Sequence, residues 1–253
     1  MKLLTWNVNH RIHEKVIPHL MAEAIDSLKP DIIVLTEFVD GPSRKSFFSE
    51  LKSFGFSDKR VSKESEGQNQ VLIASRTPLV DGAIQMPRTP SASASDEELI
   101  PEAFPSNILH VHVPDKGFEI LGLRVPMPLK SLKRRACWEW ITKTAKENSE
   151  RPFVLMGDFN IDPRYPPAKC GKRFDMLKKD DWQHADAVPL SDVSYFPPAG
   201  GPGTRLDHAF LSRHFINPSA RYVSESGGFV FAGKKPGAMS DHAILLVDSE
   251  LKL

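Results

Sequence analysis

An acid and an amide lie one residue apart in residues 156–160, directly after the short apolar run 153–155. Residues i and i+2 of an extended segment point to the same side, so Asp158 and Asn160 can face one pocket together. A negative charge beside a neutral hydrogen-bonding group suits the handling of a water molecule next to a phosphate. An ordinary turn after a strand is an equal alternative for this stretch alone, because Gly, Asp and Asn are common in turns.

Other polar residues stand at the ends of predicted strands or within them. They are Asn7, Asn9, Glu37, Asp207, Asp241 and His242. A carboxylate that closes an apolar strand, as Glu37 closes the run 32–36, is costly unless it binds something. Ligand sites in layered α/β folds gather where strands end, so these side chains can converge on one pocket.

The chemistry of this set is that of oxygen ligands, because it contains no cysteine. Such ligands favour Mg²⁺ or Mn²⁺ over zinc, which usually needs three protein ligands in a catalytic site. His242 suits charge stabilisation or proton transfer, and Asp207 could hold its imidazole in one orientation. No G-x-S-x-G segment marks a serine nucleophile. A water nucleophile, a divalent cation and a clamped phosphate therefore fit better.

The pattern of apolar residues predicts the helices and strands that position these residues. Helical spacing and composition predict helices at 14–28, 46–56, 129–148 and 174–179. Apolar and β-branched runs predict strands at 2–8, 32–36, 71–76, 107–113, 118–125, 151–155, 204–211 and 243–247. Residues 87–105 have the composition of a long surface loop, with a mobile lid as the alternative.

The length of the chain and its net charge limit the possible functions. The chain has 253 residues, enough for one large domain over 1–253, and its formal net charge is +1. With so little net charge the protein as a whole would not attract nucleic acid, so nucleic-acid binding would depend on a local basic patch. Four basic residues cluster in the first half of the predicted helix 129–148, where a solvated helix face is the ordinary alternative. They are Lys130, Lys133, Arg134 and Arg135.

Cysteine use and the N-terminus indicate the compartment. Cys137 and Cys170 form no C-x-x-C pair and are too few for a disulfide scaffold, which favours a reducing environment. The chain enters a predicted strand at once, without the apolar region of a signal peptide. No apolar stretch is long enough to span a bilayer. We therefore expect a cytoplasmic protein without a membrane span, and a monomer.

The polar residues belong to short motifs in a fixed order. Segments 6–9, 36–37, 157–160, 205–208 and 240–242 read Trp-Asn-Val-Asn, Thr-Glu, Gly-Asp-Phe-Asn, Arg-Leu-Asp-His and Ser-Asp-His. Together they resemble the motif set of the endonuclease/exonuclease/phosphatase superfamily, and the resemblance covers essentially the whole chain. It implies the α/β fold of DNase I, a four-layer sandwich in which two mixed β-sheets pack face to face with helices outside.

The resemblance also implies which residues handle the metal and the water. Glu37 would be the main ligand of Mg²⁺ or Mn²⁺, and Asn7 would lie close beside it. Asp241 would lie near the metal or the leaving group. Asp158 would orient or deprotonate the attacking water.

Further roles concern the phosphate group. The resemblance implies that Asn160 holds a phosphate oxygen and that His242, paired with Asp207, stabilises the transition state. Asn9 stands where many members carry an acid, so we expect it to contact phosphate rather than a second metal. Arg124 stands where many members carry a histidine. It could bind phosphate as a fixed cation or form a structural salt bridge, and we predict phosphate binding.

These expectations predict a divalent-metal-dependent phosphodiesterase that uses in-line attack of water, most simply a nuclease on DNA or RNA. A phosphatase or phosphodiesterase for a small-molecule or lipid phosphate is the first alternative, and the near-neutral charge favours it. The basic cluster in 130–135 favours nucleic acid. A catalytically inactive binding module is the second alternative, against which the intact acids and His242 argue.

Overall fold

The computed structural model describes residues 1–9, 16–63, 69–84, 105–127, 131–166, 170–179, 181–233 and 236–252, with residues 131–133 described by their backbone alone. The predicted loop 87–105 lies outside these residues except at its last position. Lys130 and the side chain of Lys133, two members of the basic cluster, lie outside them as well.

The described residues form strands and helices in alternation. The strands are β1 (Lys2–Asn7), β2 (Ile32–Phe38), β3 (Asp58–Val61), β4 (Gln70–Ser75), β5 (Val80–Asp81), β6 (Ile108–Val113), β7 (Phe118–Arg124), β8 (Phe153–Asp158), β9 (Gln183–His184), β10 (Asp207–Leu211), β11 (Phe215–Val223), β12 (Glu225–Ser226), β13 (Phe229–Val230) and β14 (Ile244–Leu251). The helices are α1 (Met21–Ser27), α2 (Arg44–Ser53), α3 (Ser131–Asn148) and α4 (Arg173–Lys179).

Two six-stranded sheets form the centre of the fold. The first has the strand order β11-β14-β1-β2-β4-β3, and the second has the order β5-β6-β7-β8-β10-β9. Each sheet contains one parallel pair, β1 with β2 and β7 with β8, among antiparallel neighbours. Both sheets are therefore mixed, as predicted.

The inner faces of the two sheets share one hydrophobic core. Val34 and Ile73 of the first sheet and Ile120 and Val154 of the second belong to the same buried cluster. Gly122 permits the close approach, because a Cβ atom there would lie 2.9 Å from a methyl group of Val34. The single domain predicted over 1–253 stays a prediction, and this shared core supports it.

The helices cover the outer faces of the sheets. Phe47 of α2 packs in a cluster with the outer side of the first sheet, together with residues of α1. Trp138 of α3 and Phe174 of α4 pack in a third cluster with the outer side of the second sheet. Helix, sheet, sheet and helix form four layers, which confirms the predicted α/β sandwich. Every helix among the described residues is too short or too polar to cross a membrane.

Several elements differ from their predictions for local reasons. The predicted helix 14–28 is wrong over 16–20, because the described helix begins only at Met21. Strand β11 has no counterpart among the predicted strands. It contains Pro218, which a strand tolerates here because β11 lies at the edge of its sheet and carries a register irregularity between Ile216 and Ser219. Strand β3, also missed, is a short edge strand with half-buried side chains.

Gly157 sets the spacing between the two parallel strands that carry site residues. Its φ is +145°, and a Cβ atom there would lie 1.9 Å from the backbone oxygen of Leu123 in β7. We expect Gly157→Ala to lower the free energy of unfolding by about 3 kcal/mol or more, because backbone strain adds to a backbone clash. Denaturant unfolding measures this loss.

Gly228 provides the matched control for that substitution. Its φ is also positive, at +86°, but nothing lies within 4 Å of its Cβ position. Gly228→Ala should therefore show the backbone strain alone, about 1 kcal/mol. Equal losses in the two variants would contradict a steric role of Gly157 between β7 and β8.

Candidate active site

The predicted site residues converge at one edge of the two sheets, where β1, β2, β7 and β8 end and β10 begins. A cavity of about 430 Å³ opens there. Seven of the nine predicted residues line it, namely Asn9, Glu37, Arg124, Asp158, Asn160, Asp241 and His242. The other two lie buried directly behind the wall: Asn7 is hydrogen-bonded to Asp158, and Asp207 to His242.

A local break in β2 presents Glu37 to the cavity. The pairing of β2 with β4 shifts between Leu35 and Phe38, and Glu37 adopts a left-handed backbone with φ of +54°. That conformation costs a non-glycine residue about 1 kcal/mol and is found mostly where function demands it. Asn9 and Asn160 have similar φ values, +45° and +52°, which asparagine tolerates better.

Asp158 lies at the end of β8, fully enclosed by polar neighbours. Its Oδ2 accepts hydrogen bonds from the side-chain nitrogens of Asn7 at 2.9 Å and Asn160 at 3.0 Å, and its Oδ1 accepts one from the backbone N–H of Asn160 at 2.8 Å. Burial and the nearby charge of Asp207 hold the pKa of Asp158 well above its usual range, although His242 and Arg124 oppose the rise. A carboxyl with such a pKa is suited to accept a proton near neutral pH.

The side-chain amides of Asn7 and Asn160, next to Asp158, already make hydrogen bonds within the protein. The side-chain nitrogen of Asn160 donates to the Val125 carbonyl at 2.7 Å as well as to Asp158. The side-chain oxygen of Asn7 accepts the backbone N–H of Asn9 at 2.9 Å. Asn7 and Asn160 therefore fix the carboxylate of Asp158. That Asn160 holds a phosphate oxygen stays a prediction, and it requires one of these two hydrogen bonds to be released.

His242 and Asp207 form a buried pair next to Asp158, which is the cross-strand partner of Asp207. Asp207 Oδ2 lies 2.7 Å from His242 Nδ1. Burial alone would lower the pKa of His242, but the charge of Asp207 and this hydrogen bond outweigh burial and raise it to about 9. The ring of Tyr195 lies against the imidazole, with 4.9 Å between ring centroids. At neutral pH the protonated imidazole of His242 therefore places a positive charge at the cavity.

Hydrogen bonds from side chains to backbone carbonyls fix the His242 segment to the first strand. The indole N–H of Trp6 donates to the His242 carbonyl at 2.7 Å, and the Ser240 hydroxyl donates to the Asn7 carbonyl at 2.7 Å. The same hydroxyl oxygen accepts the His242 backbone N–H at 3.0 Å. The first and last motifs of the chain are thus held together, although more than 230 residues separate them.

Arg124 is the second cation of the cavity. Its Nη2 and Nε lie 2.6 Å and 3.0 Å from the same oxygen of Glu37, Oε1, and its Nε lies 3.9 Å from Asp158 Oδ2. The charge of Arg124 helps to hold the pKa of Glu37 below its usual range, against the effect of burial. Both alternatives for Arg124 stay open in this geometry, because it pairs with an acid and also lines the cavity.

Sequence reasoning missed several residues of the site. Tyr195, Asn69 and Met127 also line the cavity, and the hydroxyl oxygen of Ser194 accepts the backbone N–H groups of Leu206 and Asp207. Ser194 and Tyr195 lie in a proline-rich, irregular stretch with no periodic pattern. Leu206 lines the cavity as well, and its place in the motif Arg-Leu-Asp-His was the one sequence signal for any of these missed residues.

The basic cluster predicted in 130–135 touches the rim of the cavity through one member. Arg134 Nη2 lies 3.9 Å from the sulfur of Met127, which lines the cavity. Arg135 is exposed on the same helix. Positive charge is therefore present beside the opening as well as inside it.

A second group of potential metal ligands lies at the other end of β6 and β7. The ligand atoms of His110, His112 and Glu119 lie within 4.8 Å of one another. The backbone N–H of Ile84 donates to His110 Nδ1 at 3.1 Å, so Nε2 carries the proton that it shares with Glu119 at 2.8 Å. Arg151 also pairs with Glu119. This cluster is separate from the cavity, and its hydrogen bonds oppose metal binding through His110.

The pKa of His242 can be measured by NMR titration of the metal-free protein. We expect His242 to lose its proton near pH 9 and to be a cation at pH 7. In Asp207→Asn the pKa should fall to its ordinary value of about 6.5 or below, because burial then acts without a compensating charge. Asp186→Asn is the control, since Asp186 pairs with Arg205. A wild-type His242 that titrates at its ordinary value would contradict the buried pair.

Several solved structures share the fold of this chain. The chain aligns with an AP endonuclease from Archaeoglobus fulgidus at 17% identity and a TM-score of 0.67, over 98% of each chain. It aligns with truncated TDP2 from Caenorhabditis elegans at 13% identity and a TM-score of 0.68, over 99% of this chain and 97% of that one. It also aligns with an endonuclease/exonuclease/phosphatase family protein from Bacteroides thetaiotaomicron at 18% identity and a TM-score of 0.69, over 100% of this chain and 98% of that one.

At such identities these structures establish the fold alone. No protein of curated function matches the chain in sequence. The family model described as "Endonuclease/Exonuclease/phosphatase family" matches residues 4–242, which include all nine predicted site residues. The chain therefore belongs to the endonuclease/exonuclease/phosphatase family of phosphoesterases.

Proposed function

We propose that the protein is a divalent-metal-dependent phosphodiesterase that hydrolyses its substrate by in-line attack of water, and that the substrate is a nucleic acid. One observation carries the proposal: a buried carboxylate suited to accept a proton, Asp158, faces the same cavity as a protonated imidazole, His242. Family membership supports phosphoester hydrolysis in general.

The donor set of the cavity fits Mg²⁺ or Mn²⁺. Four carboxylates at the site, those of Glu37, Asp158, Asp207 and Asp241, oppose the two cations Arg124 and His242. With all four ionised, the acids carry two more charges than the two cations offset, and one divalent cation would neutralise this excess. The oxygens available are hard ligands of the kind that Mg²⁺ prefers. We assign Glu37 as the main ligand, supported by Asp241 and Asn7.

The bound cation would polarise a phosphoryl oxygen and offset charge at phosphorus. The protein itself positions the water and receives its proton. Asp158 is held by three hydrogen bonds from two amide residues and has a raised pKa, so it can take a proton from water without reorienting. Such preorganisation contributes much of the rate in phosphoryl transfer.

His242 supplies positive charge where negative charge develops in the transition state. Its proton is retained at neutral pH because Asp207 compensates the burial of the ring. Arg124 supplies a second fixed charge, and the amide residues Asn9 and Asn160 line the same cavity. A phosphate held among these groups would face the water at Asp158.

Two observations favour nucleic acid as the substrate. Arg134 lies beside the cavity opening, and Arg135 is exposed on the same helix, so charge extends beyond the cavity along one flank. Two of the similar structures are an AP endonuclease and TDP2. A small-molecule or lipid phosphate is the second candidate, because the net charge of +1 gives no general attraction to a polyanion.

Substitutions in the cavity test the catalytic assignment. We expect Asp158→Asn and His242→Ala each to lower the hydrolysis rate at least about a hundredfold while unfolding transitions stay close to wild type. His112→Ala is the matched control, because that histidine lies at the far end of the sheet and should not alter the rate. Near-normal turnover in either cavity variant would refute the assignment.

The substrate in that assay separates the two candidates. Activity should be followed with Mg²⁺, Mn²⁺ or EDTA on DNA and RNA oligonucleotides, on a generic diester and on a generic monoester. Metal-dependent cleavage of oligonucleotides supports the nuclease. Cleavage of the monoester alone would replace it with a phosphatase.

The metal assignment predicts a change in binding as well as in rate. Glu37→Gln keeps the shape of the side chain but removes its charge, so we expect Mn²⁺ affinity to fall at least about tenfold. Calorimetric titration or the EPR signal of free Mn²⁺ measures this directly. His110→Gln, in the separate histidine cluster, should leave the affinity unchanged. An unaltered Mn²⁺ affinity in Glu37→Gln would remove Glu37 from the ligand set.

A further inference from the structure

Arg124 already occupies one oxygen of the acid that we assign to the metal. Both Nη2 and Nε lie on Glu37 Oε1, at 2.6 Å and 3.0 Å. The two side chains are only 11% and 15% exposed, so water screens their attraction weakly. In the absence of other ligands the guanidinium is therefore the counter-ion of Glu37.

A divalent cation at the same carboxylate would meet a like charge. Two cations that share one carboxylate lie a few ångströms apart, and in a largely buried site water screens their repulsion only weakly. Asp158 lies 3.9 Å from the guanidinium and is the other nearby acid, but amides already enclose it. Full contact of both cations with Glu37 is therefore unfavourable.

Arg124 has an alternative partner available when substrate binds. It lines the cavity with Asn9, Asn160 and His242, the residues that we assign to phosphate. A guanidinium presents a planar fork of donors that matches two phosphate oxygens, whereas on Glu37 both donors here share a single oxygen. A phosphate group can therefore compete with Glu37 for Arg124.

We propose that Arg124 and the divalent cation compete for Glu37, and that the substrate phosphate resolves the competition by taking the guanidinium. This inference rests on the proposed function. It makes Arg124 a residue that couples the two ligands: phosphate strengthens metal binding, and metal strengthens phosphate binding by the same factor. The metal would then be held firmly only when a phosphate group is present.

The position of Arg124 in the fold suits this exchange. Its backbone is fixed at the end of β7, opposite Asp158 in the parallel register. The long side chain can move between Glu37 and the cavity while the strand stays in place. A salt bridge that served only to hold β2 against β7 would not alter the affinity for metal when phosphate is absent.

Mn²⁺ binding by the 253-residue protein tests the competition. With Mn²⁺ alone, we expect Arg124→Met to bind about tenfold more tightly than wild type or better, because a competing charge has been removed. Arg124→Gln is a second uncharged variant in case Arg124→Met does not fold. Arg124→Lys keeps the charge and should stay within a few-fold of wild type.

Arg134→Met is the control for general electrostatics. Arg134 is a cation beside the same cavity that contacts Met127 rather than Glu37. Its substitution should leave Mn²⁺ affinity nearly unchanged. An equal gain in Arg134→Met and Arg124→Met would overturn competition at Glu37, and so would an Mn²⁺ affinity that is unchanged or weaker in the uncharged Arg124 variants.

Inorganic phosphate tests the coupling. In the wild type we expect phosphate to tighten Mn²⁺ binding, and in Arg124→Met we expect a clearly smaller gain. An undiminished gain would overturn the role of Arg124. If wild type hydrolyses a diester with metal while Arg124→Met shows no tighter binding, this inference fails and the proposed function stands. If neither protein binds Mn²⁺ and no metal-dependent hydrolysis occurs, both fail.

Discussion

The concentration of negative charge in one buried pocket is the constraint on which the rest of the site depends. Asp158 and Asp207 face each other across the β8–β10 pair, and Glu37 completes the cluster from the other sheet. Burial and the charge of Asp207 together raise the pKa of Asp158, so the ionised cluster is unfavourable without compensating charge. The arrangement persists because the two sheets fix the strand ends rigidly and because Arg124 and His242 supply compensating charge.

Much of the supporting structure holds the acids at that separation. Gly157 allows β7 and β8 to approach, which places Arg124 opposite Asp158. Trp6 fixes the backbone of His242 by a side-chain hydrogen bond that crosses almost the whole sequence. The left-handed backbone at Glu37 is the cost of turning that acid into the cavity. The strand contact and the hydrogen bond thus offset the strain at Glu37 and hold the charged groups in place.

The sequence allowed the fold and the identity of the acids to be predicted, but not the contacts between them. Apolar runs that end on Glu37 and Asp158 indicate strands buried on both faces, because such strands lack the alternation of half-buried ones. The ion pair of Glu37 with Arg124 joins residues 87 positions apart and depends on how the sheets pack, which no local pattern encodes. Tyr195 is placed against His242 by an irregular segment, and β11 was hidden by its proline and edge position.

The two aspartates of the site, Asp158 and Asp207, differ in their chemistry because their neighbours differ. His242 lies against Asp207, whose charge and hydrogen bond outweigh burial and keep the imidazole protonated. Asp158 is buried and lies near the charge of Asp207, so its affinity for a proton rises even though amide N–H groups donate to it. The environment thus separates a proton acceptor from an orienting acid within one pair of adjacent strands. That difference supports the proposed roles, in which Asp158 handles water and His242 the charge of the phosphate, since the reverse roles would require a proton to leave a stabilised cation.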